Sequence, residues 1–435
     1  MKQFSKRLNN VIPGGCHTYS RGDDQFPVNA PPILHKGEGC YVWDPNDKKY
    51  LDYGMGLRSV TVGYADARIN NAAIQAISNG NNLTRASTVE LDAAEKLIGL
   101  VDNMDMVKFA KNGSNVTTAA VKLARAYTDR KYILRCKDHP FFSFDDWFIG
   151  NTQIKKGIPK EIYDLTLSFN FNDVQSVEKI VNFALFRNDI AAIILEPAPI
   201  SRPSDTKHGN FLQYLRKVCD QHGIVLIFDE IVTGFRIHRV SAQDVYNVVP
   251  DLITFGKAMA NGFSVAALCG KRDIMELGSI KNLGQQRTFL LSSTYGAEMC
   301  SLAAFLETMQ TYEREGVYEH IRAYGKKLIK ESNKVAESVG VKDYFYFGGF
   351  YQSPYYVSKG LNGDNCYKLR TIFNQEMINN GVMMPWVALS LSHGEKELDK
   401  TLDALEKSLK VYSKALEDPD KFIKNNVIKP VFRRY

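Results

Sequence analysis

The sequence predicts an α/β protein in which a mostly parallel sheet is wrapped by helices and followed by a second, smaller lobe. Three observations carry this. The runs Ile224-Val225-Leu226-Ile227-Phe228 and Leu252-Ile253-Thr254-Phe255 are short, apolar and rich in β-branched residues, the pattern of strands buried on both faces. From residue 107 to 270 such runs alternate with helical periodicity, as crossover connections in a parallel sheet require. After a break near 315–340, alternating strands return at 344–357 and lead to a charged helix at 395–416. The chain has 435 residues and 44% hydrophobic content, enough for both lobes.

Each element has its own local cause. Residues 1–35 are turn-rich around Ile12-Pro13-Gly14-Gly15 and read as an N-terminal arm. Residues 39–53 read as a hairpin around Pro45-Asn46-Asp47. Residues 65–101 have helical periodicity with Leu91, Ala94, Leu97 and Leu100 on one face. Asn112-Gly113-Ser114-Asn115 opens a helix whose Val116, Ala119, Ala120, Leu123 and Tyr127 share a face. A helix start offers free N–H groups and a positive dipole end, hence a phosphate site; a plain N-cap by Ser114 or Asn115 is the alternative. The strand Tyr132-Ile133-Leu134-Arg135-Cys136 runs into a loop dense in aromatics, Phe141, Phe142, Phe144, Trp147 and Phe148. These rings form local core, or one of them stacks on a flat ligand. A strand at 190–195 ends in Glu196-Pro197, an amphipathic helix covers 211–222, and a strand covers 265–270. Leu291-Ser292-Ser293-Thr294-Tyr295-Gly296 precedes one long helix at 297–338. The domains divide as 1–60, 61–314 and 315–435, the first and last forming the small domain.

Composition excludes several classes. The formal charge of +7 comes from 55 Lys+Arg against 48 Asp+Glu and includes no basic run of the kind that binds nucleic acid. The seven cysteines are scattered and form no CxxC, which points to free thiols in a reducing, cytoplasmic setting and to no metal site. The N-terminus has no apolar segment behind it, and no run is long enough to cross a bilayer.

The chemistry is concentrated at two strand ends. Asp229-Glu230 closes the run 224–228, and Gly256-Lys257 closes 252–255. In open α/β sheets the ligand crevice lies outside the carboxyl ends of the strands, and a buried carboxylate is costly without a partner. An amine and an acid at neighbouring strand ends suit pyridoxal phosphate. Lys257 supplies the amine for a Schiff base, and Asp229 the anion that keeps the pyridine nitrogen protonated. A lone Lys is more often a solvated group and a lone strand-end Asp more often a turn or cap, so the pair carries the inference.

Phe228-Asp229-Glu230-Ile231-Val232-Thr233-Gly234-Phe235-Arg236 followed by Gly256-Lys257, with Ile12-Pro13-Gly14-Gly15 and the segment 112–130, resembles class III, fold-type I, pyridoxal-phosphate-dependent aminotransferases. Within them the chain is most similar to the glutamate-semialdehyde aminomutase branch. The resemblance spans nearly the whole chain. It implies a seven-stranded, mostly parallel sheet in the large domain, a smaller α+β domain built from both termini, and a homodimer with shared active sites. It implies that Lys257 and Asp229 act as above, and that Lys257 also shuttles a proton. Gly113, Ser114 and Asn115 would hold the phosphate, Phe141 would stack on the ring, and Ile231 would touch the cofactor. Thr294 would reach the partner's phosphate, and Arg21, Thr18 and Glu196 would meet substrate. Four departures stand out: Phe141-Phe142-Ser143 for Tyr-His-Gly, Gly113-Ser114-Asn115 for Ser-Gly-Thr, Gly296-Ala297-Glu298 for Gly-Asn-Pro, and Pro385-Trp386-Val387-Ala388-Leu389 with no acid before Ser390-Leu391-Ser392-His393. They argue against glutamate semialdehyde as substrate. The expectation is transfer from a small-molecule amino donor to an aldehyde or ketone. A sugar-derived acceptor is suggested by the likeness of Asp146-Trp147, Ser293-Thr294-Tyr295-Gly296 and Ile428-Lys429-Pro430-Val431-Phe432 to chains linked to surface-polysaccharide synthesis. A 2,1-aminomutase and an amino-acid racemase or epimerase are the alternatives on the same scaffold.

Overall fold

The computed structural model describes residues 2–183, 186, 188–200, 205–281, 284–424 and 426–433. The chain forms two compact units, Ala67–Thr311 and Met1–Asp66 with Tyr312–Arg433. The first division falls at 66/67, where 60/61 was expected. Residues 61 and 62 stay with the small unit because their carbonyls accept from the Leu391 and Ser392 N–H groups at 2.8 and 3.1 Å.

The small unit opens with the antiparallel strands β1 (Lys36–Glu38), β2 (Tyr41–Trp43) and β3 (Lys49–Asp52), the last two joined through the 45–47 turn with Asp47 at φ 59. The large unit holds β4 (Met106–Ala110), β5 (Tyr132–Cys136), β6 (Thr166–Phe169), β7 (Ile190–Leu195), β8 (Val225–Glu230), β9 (Leu252–Phe255) and β10 (Ala266–Gly270). These form one seven-stranded sheet in the order β4-β10-β9-β8-β7-β5-β6, with only β10 antiparallel to its neighbours. Every residue of β7, β8, β9 and β10 is buried, which is why their sequences are continuous apolar runs rather than alternating ones. The helix Gly113–Thr128 packs across β7 to β10, presenting Val116, Ala119, Ala120 and Leu123. Tyr127 instead turns outward and donates to Asp273 at 2.8 Å. The chain returns to the small unit with the hairpin β11 (Phe345–Phe350) and β12 (Ser353–Ser358), and β13 (Val382–Met383) pairs in parallel with β3. Phe345, Tyr356, Phe373 and Tyr412 form its aromatic centre, with Phe345 and Phe373 ring centroids 4.6 Å apart.

Two helix expectations change. Residues 65–101 form two helices, Ala67–Ser78 and Thr88–Leu100, and the buried stripe of the second is Ala93 and Leu97. Leu91 is 57% exposed, because steps of three residues drift round the helix whereas the four-residue step keeps its face. The expected helix 297–338 is also two, Met299–Glu315 and Val317–Ser338, parted by Gly316 at φ 59. A left-handed residue ends an α-helix, and glycine adopts it without a Cβ clash.

Gly325, in the second of these helices, is fixed by close approach: a Cβ there would lie 1.6 Å from the Tyr351 carbonyl oxygen. Gly325→Ala is expected to lower stability by about 3 kcal/mol, because backbone on both sides must move; urea unfolding followed by circular dichroism measures it.

Candidate active site

β8 and β9 are parallel neighbours with Asp229 opposite Thr254, so Asp229 and Lys257 emerge at the same, carboxyl end of the sheet. Asp229 is 3% exposed. Its Oδ1 accepts from the Ile231 N–H at 3.0 Å and the Thr254 hydroxyl at 3.2 Å. The turn-forming role expected of a lone Asp is thus real, and it is carried by one oxygen. Burial pushes the carboxyl up to about 6, against the downward pull of the Ile231 N–H, the Lys257 ammonium and the Thr254 hydroxyl. Lys257 is half-buried, begins a short 3-10 turn and sits at φ 40. A left-handed lysine costs on the order of 1 kcal/mol, a strain that surrounding structure must hold in place.

The phosphate-site candidate lies beside them. The N-cap of the helix Gly113–Thr128 is Asn112, whose side chain accepts from the Asn115 N–H at 3.0 Å. This corrects the reading of Ser114 or Asn115 as the cap: Asn112 alone has the extended backbone that a cap needs. Buried Ser114 instead accepts from the Phe144 N–H at 3.0 Å, tying the aromatic loop to the helix start. A Cβ on Gly113 would meet Ile231 at 3.1 Å, and one on Gly256 would meet it at 3.2 Å. Ile231 therefore binds the end of β8, the helix start and the lysine segment into one unit.

Lys111, just before this loop, pairs with Glu298 at 2.6 Å and donates to the Ser301 hydroxyl at 3.1 Å. The pair was not legible in the sequence, since 187 residues separate its members. Thr294 is exposed on the loop that leads to Glu298. That loop is fastened to another: the Met299 N–H donates to the Asn81 carbonyl at 2.7 Å and the Cys300 N–H to Asn81 Oδ1 at 2.9 Å.

The aromatic loop divides. Phe142, Trp147 and Phe148 are buried, whereas Phe141 and Phe144 are 43% and 57% exposed. Phe141 stands edge-on to Phe148 with centroids 5.7 Å apart. Glu196, just past β7, is buried and donates its N–H to His139 Nδ1 at 2.8 Å. Thr18 and Arg21 belong to the small unit, where the Arg21 N–H donates to the Thr18 carbonyl at 2.9 Å and the Arg21 residue is exposed.

Sequence reasoning passed over Glu230. It is fully buried and accepts from Ser241 Oγ at 2.5 Å, the Ala242 N–H at 2.9 and 3.0 Å, and Thr233 Oγ1 at 3.2 Å. Burial pushes it up to about 7 despite these donors. It clamps the loop that begins beside Asp229. The Asp-Glu doublet at a buried strand end was its only signal.

The aminotransferase class-III family model matches residues 19–344. The chain belongs to the class-III aminotransferases. It is 31% identical over 419 residues to a 3-aminobutyryl-CoA aminotransferase of Cloacimonas acidaminovorans, covering 94% of this chain and 97% of that one. It is 30% identical over 423 residues to a glutamate-1-semialdehyde 2,1-aminomutase of Syntrophobacter fumaroxidans, covering 90% and 93%. The FumI protein of Sphingopyxis sp. MTA144, solved in its pyridoxal-phosphate internal aldimine form, superposes with TM-score 0.84 at 25% identity, with 96% of each chain covered. This class-III aminotransferase is a fold-type I enzyme whose cofactor is pyridoxal phosphate. Its residues fit that group. A buried carboxylate with both hydrogen bonds on one oxygen suits a ring N–H, an adjacent amine suits an aldehyde, and a helix start suits a phosphate.

A carboxyl with a folded pKa near 6, above its ordinary 3.8, takes away stability progressively as pH rises from 3.8 to 6, and the full cost is present above 6. Asp229→Asn is therefore expected to stabilise the cofactor-free protein by about 2–3 kcal/mol near pH 8 and hardly at all near pH 4. Denaturant titrations at the two pH values measure this.

Proposed function

We propose that this enzyme is an intermolecular aminotransferase in which Lys257 and Asp229 carry the chemistry. The observation behind the reading is the half-buried, backbone-strained amine next to a buried carboxylate at the ends of adjacent parallel strands. When bound, pyridoxal phosphate supplies an aldehyde carbon and an electron-withdrawing ring on which an amino group is held between donor and acceptor. Lys257 Nζ would hold that carbon, yield it to the amino donor, and then move the proton to and from the substrate Cα. The Asp229 carboxylate keeps a proton on the ring nitrogen, and its own burial strengthens that pairing. The N–H groups of Gly113, Ser114 and Asn115 would hold the phosphate, with Phe141 and Ile231 the side chains that would lie against the ring. Thr294 would reach the phosphate of a second copy in a homodimer, and the resemblance carries substrate contact to Thr18, Arg21 and Glu196.

The acceptor is an aldehyde or ketone, with sugar-derived carbonyl compounds the first class to try. The aminomutase reading has support in the Syntrophobacter relative. Against it stands the segment 385–389. It carries no acid, and Val387, Ala388 and Leu389 are buried. Its Trp386 donates to the Gly54 carbonyl at 3.0 Å, while Arg370 and Tyr356 donate to the Pro385 carbonyl at 2.7 and 3.2 Å. An apolar, pinned segment does not offer the mobile acid of an intramolecular transfer. The seven free thiols suit a cytoplasmic setting.

Lys257→Ala is expected to lower turnover about a thousandfold or more and to remove the yellow, borohydride-reducible chromophore, whereas Lys271→Ala at the surface leaves both. Persistence of turnover in the first variant overturns the assignment. In the wild type, product is expected only when an amino donor is added; product formed from a single substrate would establish the aminomutase instead.

A further inference from the structure

We propose that His139 is a positioning residue for the amino transfer. Its imidazole fixes Glu196 at the carboxyl end of β7, where the aminotransferase reading, on which this inference rests, places a substrate contact. Glu196 lies one residue past the last pair of β7 with β8 and two past its last pair with β5. Its N–H is therefore beyond the sheet ladder, and the residue is buried. A buried N–H needs an acceptor or bears the cost of its lost water. His139 Nδ1 accepts it at 2.8 Å. β5 ends at Cys136, so the ring supplies the acceptor that a longer strand would have supplied.

The imidazole is itself held. His139 is 1% exposed, and its ring lies against those of Phe142 and Phe171 at centroid distances of 5.7 and 5.3 Å. The backbone before it is pinned. The Lys137 N–H donates to the Phe169 carbonyl at 2.8 Å, and Asp138 Oδ2 accepts from the Phe171 N–H at 2.7 Å. Pro140 follows with its fixed φ, and Phe141 comes next. One short segment thus ties the end of β7 to the ring proposed to face the cofactor. Phe142 stands where the resemblance expects a histidine, and this chain brings an imidazole against that ring from three residues earlier. Because Nδ1 accepts, it bears no proton, and the neutral ring carries its proton on Nε2. A side chain with no acceptor at the Nδ1 place leaves the Glu196 N–H unanswered, and the residue shifts to find one. A misplacement of about 1 Å at a substrate contact costs up to about a hundredfold.

The test uses the holoenzyme and the half-reaction with glutamate, alanine or benzylamine, whichever the wild type consumes fastest, followed as decay of the yellow absorbance. His139→Leu and His139→Gln remove the acceptor, since a glutamine carbonyl reaches the Nε2 place instead. His139→Asn keeps it, with Oδ1 standing where Nδ1 stood. The first two are expected to raise KM about tenfold with kcat within about threefold of wild type, and His139→Asn to restore the wild-type KM. If the leucine variant does not fold, the glutamine variant carries the comparison. Glu196→Gln is expected to raise KM by itself, and His139→Gln added to it to change little more. A wild-type KM in His139→Gln beside a raised KM in Glu196→Gln overturns the proposal and leaves the Glu196 reading standing. A wild-type KM in Glu196→Gln overturns that reading, and the inference with it. Equal impairment by asparagine and glutamine in place of His139, or effects of the His139 and Glu196 variants that multiply, mark His139 as merely structural and overturn the proposal as well.

Discussion

A carboxylate taken out of water at the end of β8 is the constraint from which the rest of the large unit follows. Asp229 is 3% exposed, and its two hydrogen bonds both fall on Oδ1. Such a charge is tolerable only beside a cation, and the ammonium of Lys257 pulls the carboxyl down. A ring N–H bound at the other oxygen would complete the pairing. Under that pairing, cofactor binding and folding would be coupled through this group.

The sheet exists to hold that arrangement still. Parallel strands bring several carboxyl ends to one edge, and burial of β7 to β10 on both faces removes freedom from those ends. Ile231 then locks the three segments that matter, and Glu230 anchors the following loop through four hydrogen bonds.

How much of this the sequence disclosed depends on the range of the interaction. Strand identity was legible because burial on both faces writes itself into consecutive residues, as in β5, β7 and β9. The strand-end pair was legible because Asp229 and Lys257 directly follow such runs. Helix phase was less so: Leu91 and Leu97 look alike in sequence, and only the sheet decides which one it covers. The cap at Asn112 was missed by two residues, because Asn112, Ser114 and Asn115 are all competent caps and backbone angle chooses among them. The Lys111–Glu298 pair and the Asn81 fastening join residues far apart in the chain, and no local pattern announces them.

The Asn81 fastening has an evolutionary reach. Both of its hydrogen bonds accept from main-chain N–H groups, so the neighbouring tips can vary in sequence without losing the fastening. Directed libraries confined to residues 82–87 and 293–294, with residue 81 held constant, would sample new loop sequences on an unchanged fold.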